Sequence, residues 1–297
     1  MHVFVTGASG WIGTAVVDDL LASGHQVTGL ARSDASAEAL EAKGVRVLRG
    51  DLDDLDAIRT GVEGTEGTIH LANKHDWSNM AASNAAERAA VQTIGDTLVG
   101  TNRPFLLASG VAGLANGQLA TEDDASPFHG PDSMRGGSEN LALEFADRGV
   151  RSISLRFAPT VHGTRDHGFI AVLSQIARDK GVAGYPGDGS NRWPAVHVAD
   201  AARMTVLGLE QAPAGTRLHA VAEEGVPTRA IAEAIGRAFD LPVASIPADQ
   251  VIEHFGWIGG FFGADAATSS AATRELLGWT PAGPTLVDDI DAGAYAV

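Results

Sequence analysis

The chain has 297 residues, 44 % of them hydrophobic, with no cysteine and a net charge of −16. That length accommodates one large α/β unit, or a large and a small lobe, around a sizeable core. The acidic excess opposes nucleic acid and anionic membranes as partners. The lack of cysteine excludes disulfides, thiolate catalysis and cysteine-bound metal.

The start, MHVFVTG, runs straight into an apolar strand pattern, so no signal peptide is expected and the cytoplasm is the expected compartment. HVFVT (2–6) reads as a buried strand, followed by a glycine turn and a helix from Trp11 to Leu21 that Gly24 ends. QVTGL (26–30), VRVL (45–48), GTIHLA (67–72), PFLLAS (104–109) and RSISLRF (151–157) are further strands. Helical patterns stand between them at 37–43, 54–61, 78–100 and 133–148. Strands alternating with helices predict a doubly wound parallel sheet, the Rossmann fold, over residues 1–158. Residues 159–297 are expected to form mainly a smaller substrate lobe, with elements from about 190–222 returning to the first domain. There, 184–197 reads as a long polar and aromatic loop, and helices are expected at 199–210, 228–239 and 248–255. The apolar run 255–264, FGWIGGFFGA, is too short to span a bilayer.

The first strand and helix flank TGASGWIG (6–13). A helix N-terminus presents unpaired amides and the positive end of its dipole, so it attracts phosphate. Gly7 permits the tight turn, Gly10 lets a pyrophosphate approach the backbone, and Gly13 lets the helix pack closely. The second strand runs into Arg32 and Ser33. An acidic residue there would meet the ribose of NAD, whereas a guanidinium matches the 2′-phosphate of NADP. NADP(H) is therefore the expected cofactor and NAD the less favoured one, with Asp34 the residue that weighs against this choice. Asp51, after the third strand, is placed to meet the adenine amine, and Asp51 or Asp53 equally suits a helix N-cap.

These segments resemble the extended short-chain dehydrogenase/reductase superfamily, and the likeness spans nearly the whole chain. It rests on Gly7, Gly10 and Gly13, on GDLDD (50–54), HLAN (70–73), RFAPTVHG (156–163), RWPAVHVADAA (192–202) and LLGWTP (276–281). The resemblance implies a dinucleotide lying along Ser9, Trp11, Ile12, Leu52, Leu71, Ala72 and Asn73, with Pro159, Thr160 and Val161 beside the nicotinamide. It also implies a homodimer formed through the helices near 78–100 and 133–148.

The family's Tyr-x-x-x-Lys pair is absent, because the only tyrosines, Tyr185 and Tyr295, have no lysine four residues on. With Glu139 as the family's marker glutamate, the lysine slot falls on Arg135 and the tyrosine slot on Pro131. The chain thus looks most like atypical members that keep the cofactor site without the catalytic tyrosine. Ser109, His129 and Arg135 are the candidates to take over its work: Ser109 as a donor to a substrate carbonyl, His129 as the proton carrier, and Arg135 as an oxyanion or ribose partner. Arg135 is also spaced to pair with Glu139 along a helix.

His162, Asp166 and His167 fit no zinc spacing, so no metal is expected. His162 is instead a candidate to line the substrate pocket. His197 suits packing, and Arg192 suits either a substrate phosphate or carboxylate or the surface. Trp193, Phe255, Trp257, Phe261 and Phe262 suit an apolar pocket or the core of a small lobe, and the last two a lid. The expected activity is NADP-dependent reduction of a small, rather apolar carbonyl, alkene or imine. The alternatives are a catalytically silent NADP(H) sensor or a nucleotide-sugar epimerase or dehydratase.

Overall fold

The computed structural model describes residues 1–74, 76, 79–115 and 117–296. In chain order the elements are β1 (His2–Thr6), α1 (Trp11–Ala22), β2 (Gln26–Ala31), α2 (Asp34–Glu41), β3 (Arg46–Arg49), α3 (Leu55–Glu63), β4 (Gly67–His70) and α4 (Met80–Leu98). They continue with β5 (Pro104–Gly110), α5 (Ser138–Glu144), β6 (Arg151–Phe157), β7 (Thr160–His162), α6 (Phe169–Lys180), β8 (Ala183–Pro186), β9 (Arg192–His197) and α7 (Val198–Gln211). The last are β10 (Arg217–Ala220), β11 (Glu223–Pro227), α8 (Thr228–Phe239), β12 (Val243–Ile246), α9 (Val251–Phe255), α10 (Gly259–Phe262), α11 (Ala271–Leu277) and α12 (Leu286–Asp291).

Seven strands form one sheet in the order β3-β2-β1-β4-β5-β6-β10, and every pairing in it is parallel. Strand order reverses between β1 and β4, which opens a crevice at their carboxyl ends. Successive side chains of a strand point to opposite faces, and both faces here are buried. Val3 and Val5 pack with Val16, Leu20, Val206 and Leu209 on the α1 and α7 side. Phe4, between them in sequence, packs with Ile58, Val62, Val91 and Ile94 on the α3 and α4 side. Such double burial is why these strands read as continuous apolar runs.

The remaining strands make two small sheets, β11-β9-β7 and β12-β8. They carry a separate core around Ile170, Trp193, Ile231, Ile235, Phe255 and Phe262. Segment 184–197 is therefore mainly strand, in β8 and β9. The expected loop is corrected here: Gly184 lies within β8, and only the stretch around Gly187, Asp188 and Gly189 forms the turn between the strands.

A second correction concerns 133–148. Arg135, Gly136 and Gly137 have φ of 54°, 60° and 62°, in the left-handed region, so the regular helix starts only at Ser138. Residue 78, the first of the expected fourth helix, lies outside the described residues, and α4 begins at Met80. No helix among the described residues is long and apolar enough to cross a membrane.

Candidate active site

The cradle is built from bare backbone. Gly7 turns with φ of +68°, and a Cβ there would lie 2.7 Å from the Ala72 nitrogen. A Cβ on Gly13 would lie only 1.9 Å from the Gly7 carbonyl oxygen. Both glycines are thus required by contact with backbone rather than with movable side chains. Gly10 donates its amide to the Gly7 carbonyl at 3.0 Å and serves as the N-cap of α1, with no side chain capping that end. The first amides of α1 are left for an outside acceptor, and Ser9 and Gly10 are exposed beside them. A dinucleotide's pyrophosphate fits this arrangement.

Farther along the crevice, Arg32 is exposed, and no hydrogen bond or ion pair engages it among the described residues. Ser33 caps α2 by accepting the Ser36 amide at 3.2 Å. Arg49, from the end of β3, donates to an Asp34 carboxylate oxygen at 2.8 Å and to the Ser33 carbonyl at 2.9 Å. The acidic residue that counted against a phosphate here is therefore paired with a cation. Asp51 accepts the amides of Asp53 and Asp54 through one oxygen, at 2.9 and 3.2 Å. Neither Asp51 nor Asp53 caps α3; Asp54 does, accepting the Ala57 amide at 3.0 Å. Asp53 pairs instead with Lys74, and Leu52 is buried.

Opposite the cradle, Leu71 and Ala72 follow β4 and donate their amides to Thr6. Pro159 is half-buried, and Thr160 and Val161 are buried. The Trp11 indole donates to the Val161 carbonyl at 2.8 Å, tying the cradle helix to β7 across the crevice.

The three proton-handling candidates are each held by a different partner. Ser109, at the end of β5, donates its hydroxyl to Glu139 at 2.7 Å. The other Glu139 oxygen accepts from Arg156 at 2.7 Å. Arg156 is fully buried and reaches His219 Nε2 at 3.2 Å. His219 Nδ1 lies 2.7 Å from the Ser269 carbonyl, so it carries the proton and Nε2 accepts. Burial depresses the His219 pKa, in keeping with a neutral ring.

Arg135 does not pair with Glu139, because the left-handed residues interrupt the helix between them. It grips Glu87 of α4 with two nitrogens, at 2.5 and 3.1 Å, and Asn73 donates to the same carboxylate. Pro131 and Arg135 share no helix face, so counting back from Glu139 does not locate a vacant tyrosine slot. His129 is exposed and 3.3 Å from the Asn140 amide. No hydrogen bond joins any two of Ser109, His129 and Arg135 among the described residues, so the expected donor constellation is corrected to three separate contacts.

His70, at the end of β4, opens the quoted segment 70–73 but was given no role of its own. It is fully buried, Nδ1 lies 2.8 Å from Thr6 Oγ1, and burial lowers its pKa to about 3.

In the second half, His162 is fully buried and 2.6 Å from Asp289, so it does not line an open pocket. Asp166 accepts from the Gly168 amide and the Tyr295 hydroxyl, and burial raises its pKa. His167 is exposed, its ring 6.1 Å from Trp11. No group of three metal-ligating side chains forms among the described residues. His197 caps α7. Arg192 does not extend freely into the crevice; it grips Asp265 at 2.8 and 3.1 Å.

Trp193, Phe255 and Phe262 are core residues. Phe262 closes a succession of short helical turns from Val251 rather than a lid. Residues the sequence reading missed include Arg49, Glu87, Arg156 and His219. Arg156 stood within a quoted segment, but nothing in sequence spacing links it to Glu139.

A family model described as the NAD dependent epimerase/dehydratase family matches residues 3–221. The chain is 44 % identical over 296 residues to the Schizosaccharomyces pombe protein named "Uncharacterized protein C2A9.02", covering 99 % of this chain and 100 % of that one. It is 26 % identical to the 4-hydroxy-2-methyl-3-oxo-4-farnesyl-3,4-dihydroquinoline-1-oxide ketoreductase of Stigmatella aurantiaca, covering 72 % and 66 %. Its fold matches the dTDP-glucose 4,6-dehydratase of Streptomyces venezuelae with a TM-score of 0.77 at 20 % identity, covering 99 % and 96 %, in a structure with NAD bound. With the glycine cradle, the parallel seven-stranded sheet and the matched residues together, the chain belongs to the NAD dependent epimerase/dehydratase family of enzymes.

Proposed function

We propose that the protein is an NADP-dependent reductase of a small, rather apolar carbonyl, alkene or imine. The observation that carries the cofactor choice is the Arg49–Asp34 pair at 2.8 Å, which offsets the one carboxylate beside Arg32. A guanidinium with no partner among the described residues supports reading this end of β2 as a 2′-phosphate site. The amides opening α1, with Ser9, Trp11 and Ile12, would hold the pyrophosphate. Arg32 and Ser33 would hold the 2′-phosphate, and Asp51, with its second oxygen outside the turn, the adenine. Leu52, Leu71, Ala72, Asn73, Pro159, Thr160 and Val161 would line the rest. When bound, such a cofactor supplies or accepts a hydride.

Ser109 would orient a substrate oxygen at the carboxyl end of β5 by turning towards it the proton that it otherwise donates to Glu139. Arg135 stays cationic, and its pairing with buried Glu87 makes it a support for the floor of the crevice. The likeness to a ketoreductase supports reduction. Calorimetric titration with NADPH and NADH tests the reading: selective NADPH binding that Arg32→Ala weakens supports it, and preference for NADH refutes it.

A second reading, an NADP(H) sensor without turnover, is favoured by one observation. Ser109 and Arg135 are both engaged by buried carboxylates, and His129 is exposed. NADPH binding without oxidation across a panel of aldehydes, enones and imines would favour the sensor.

A further inference from the structure

Ser109, Arg156 and His219 stand side by side near the carboxyl ends of β5, β6 and β10, each in register with the next. Glu139, in the first turn of α5, lies against this row and is buried. One of its oxygens accepts from the Ser109 hydroxyl and the other from Arg156 Nε, both at 2.7 Å. A second Arg156 nitrogen donates to His219 Nε2 at 3.2 Å, and the Ser269 carbonyl fixes the far side of that ring. Every hydrogen bond in the row thus has a set direction. Arginine only donates and a carboxylate only accepts, so Glu139 takes a hydrogen bond from each neighbour and gives none.

The consequence falls on Ser109. Its single hydroxyl proton is committed to a charged acceptor, and hydrogen bonds to charged groups are the stronger ones. Ser109 is half-buried at the end of β5, next to β4, whose carboxyl end borders the crevice. The lone pairs of its oxygen are what remain for a ligand there. A carbonyl oxygen is an acceptor and gains the Ser109 proton only by drawing it off Glu139. An alcohol is a donor and binds Ser109 as it stands, and the Glu139 charge behind the hydroxyl strengthens that contact.

We propose that Glu139 is a positioning residue that sets Ser109 as a hydrogen-bond acceptor toward the crevice, so that the site holds the alcohol of its redox couple more tightly than the carbonyl. The assignment rests on the reductase reading above and names which side of that reaction the resting site fits.

Glu139→Gln keeps the shape of the side chain and reverses this polarity. Arg156 only donates, so the new amide oxygen must face it, which turns the amide nitrogen to Ser109 Oγ. Ser109 then accepts from the amide, and its own proton is free for a carbonyl. Binding is measured by calorimetry on the intact protein in the two complexes that cannot turn over, cyclohexanol with saturating NADPH and cyclohexanone with saturating NADP⁺. Glu139→Gln is expected to weaken cyclohexanol and to tighten cyclohexanone, each by about three- to tenfold, with cofactor affinity unchanged. Ser109→Ala should weaken cyclohexanol by about three- to tenfold and leave cyclohexanone within about twofold. In that background Glu139→Gln should change neither ligand. A purely structural role for Glu139 would instead move both ligands in one direction. That result overturns the proposal, as does no change in either ligand, or an effect of Glu139→Gln that persists without Ser109. If Glu139→Gln does not fold, Ser109→Ala decides alone, and equal weakening of the two ligands overturns the proposal. If neither cofactor binds, the reductase reading fails and this assignment with it. If the cofactors bind and neither ring compound does, only the assignment fails.

Discussion

Two alanine substitutions in the cradle should separate folding from cofactor binding. At Gly13 an added Cβ would lie 1.9 Å from the Gly7 carbonyl oxygen, where ordinary contact begins near 3.4 Å. Helix α1 would have to retreat from β1 by about 1.5 Å, a backbone displacement of the overpacking kind that costs roughly 1–3 kcal/mol or more. At Gly10 the added Cβ would lie 3.2 Å from the same oxygen, at an ordinary φ of −76°. A few tenths of an ångström of adjustment suffices, at a cost below about 1 kcal/mol. The methyl group would nevertheless stand on the exposed backbone that a pyrophosphate must approach. Gly13→Ala is thus expected to lower the thermal midpoint by several degrees. Gly10→Ala is expected to leave the midpoint within a degree or two while weakening NADPH about a hundredfold, or roughly 2.7 kcal/mol. Differential scanning fluorimetry and calorimetric titration read the two effects. A Gly10→Ala protein that binds NADPH like the wild type would falsify the placement of the pyrophosphate on these amides.

Arg49→Ala should lower the preference for NADPH over NADH by several-fold, since freed Asp34 would then repel a 2′-phosphate; an unchanged ratio by titration removes Arg49 from specificity. Glu139→Ala leaves the Arg156 guanidinium buried without its carboxylate and should cost about 3–5 kcal/mol in urea unfolding, whereas Glu139→Leu with Arg156→Met should recover much of that loss. If the double variant is no more stable than the single one, the pair does not act as a unit. His70 has a folded pKa of about 3 against an ordinary 6.5, so the unfolded chain binds the proton first as pH falls. Stability should therefore decline from pH 6.5 toward 3, by up to about 1.4 kcal/mol per pH unit from this group. His70→Phe should flatten that part of the profile, and an unaltered acid limb contradicts the assignment.

The local elements of the first half were legible because their causes are local. Apolar runs bounded by glycine and proline made β1, β5 and β6 readable, and the strand–glycine–helix order made the cradle readable. The proton-handling side was not. Its spacing assumed an unbroken helix through 133–148, and three left-handed residues end that register before Glu139. The partner of each side chain there lies far along the chain: Arg135 with Glu87, Glu139 with Arg156, Arg156 with His219. Segment 184–197 was misread for a similar reason, since β8 is paired with β12 and β9 with β7 and β11, strands that lie elsewhere along the chain.

By itself the sequence determined a parallel α/β fold with a glycine turn between its first strand and first helix, because periodicity and glycine geometry are properties of neighbouring positions. Only the tertiary structure decided which charges are free to act. Asp34, Arg135 and Arg192 look available in sequence, and each is engaged by a partner that folding brings from another element. An ion's chemistry depends on what lies within a few ångströms of it, and that distance is set by the packing of the sheet and helices, not by position along the chain.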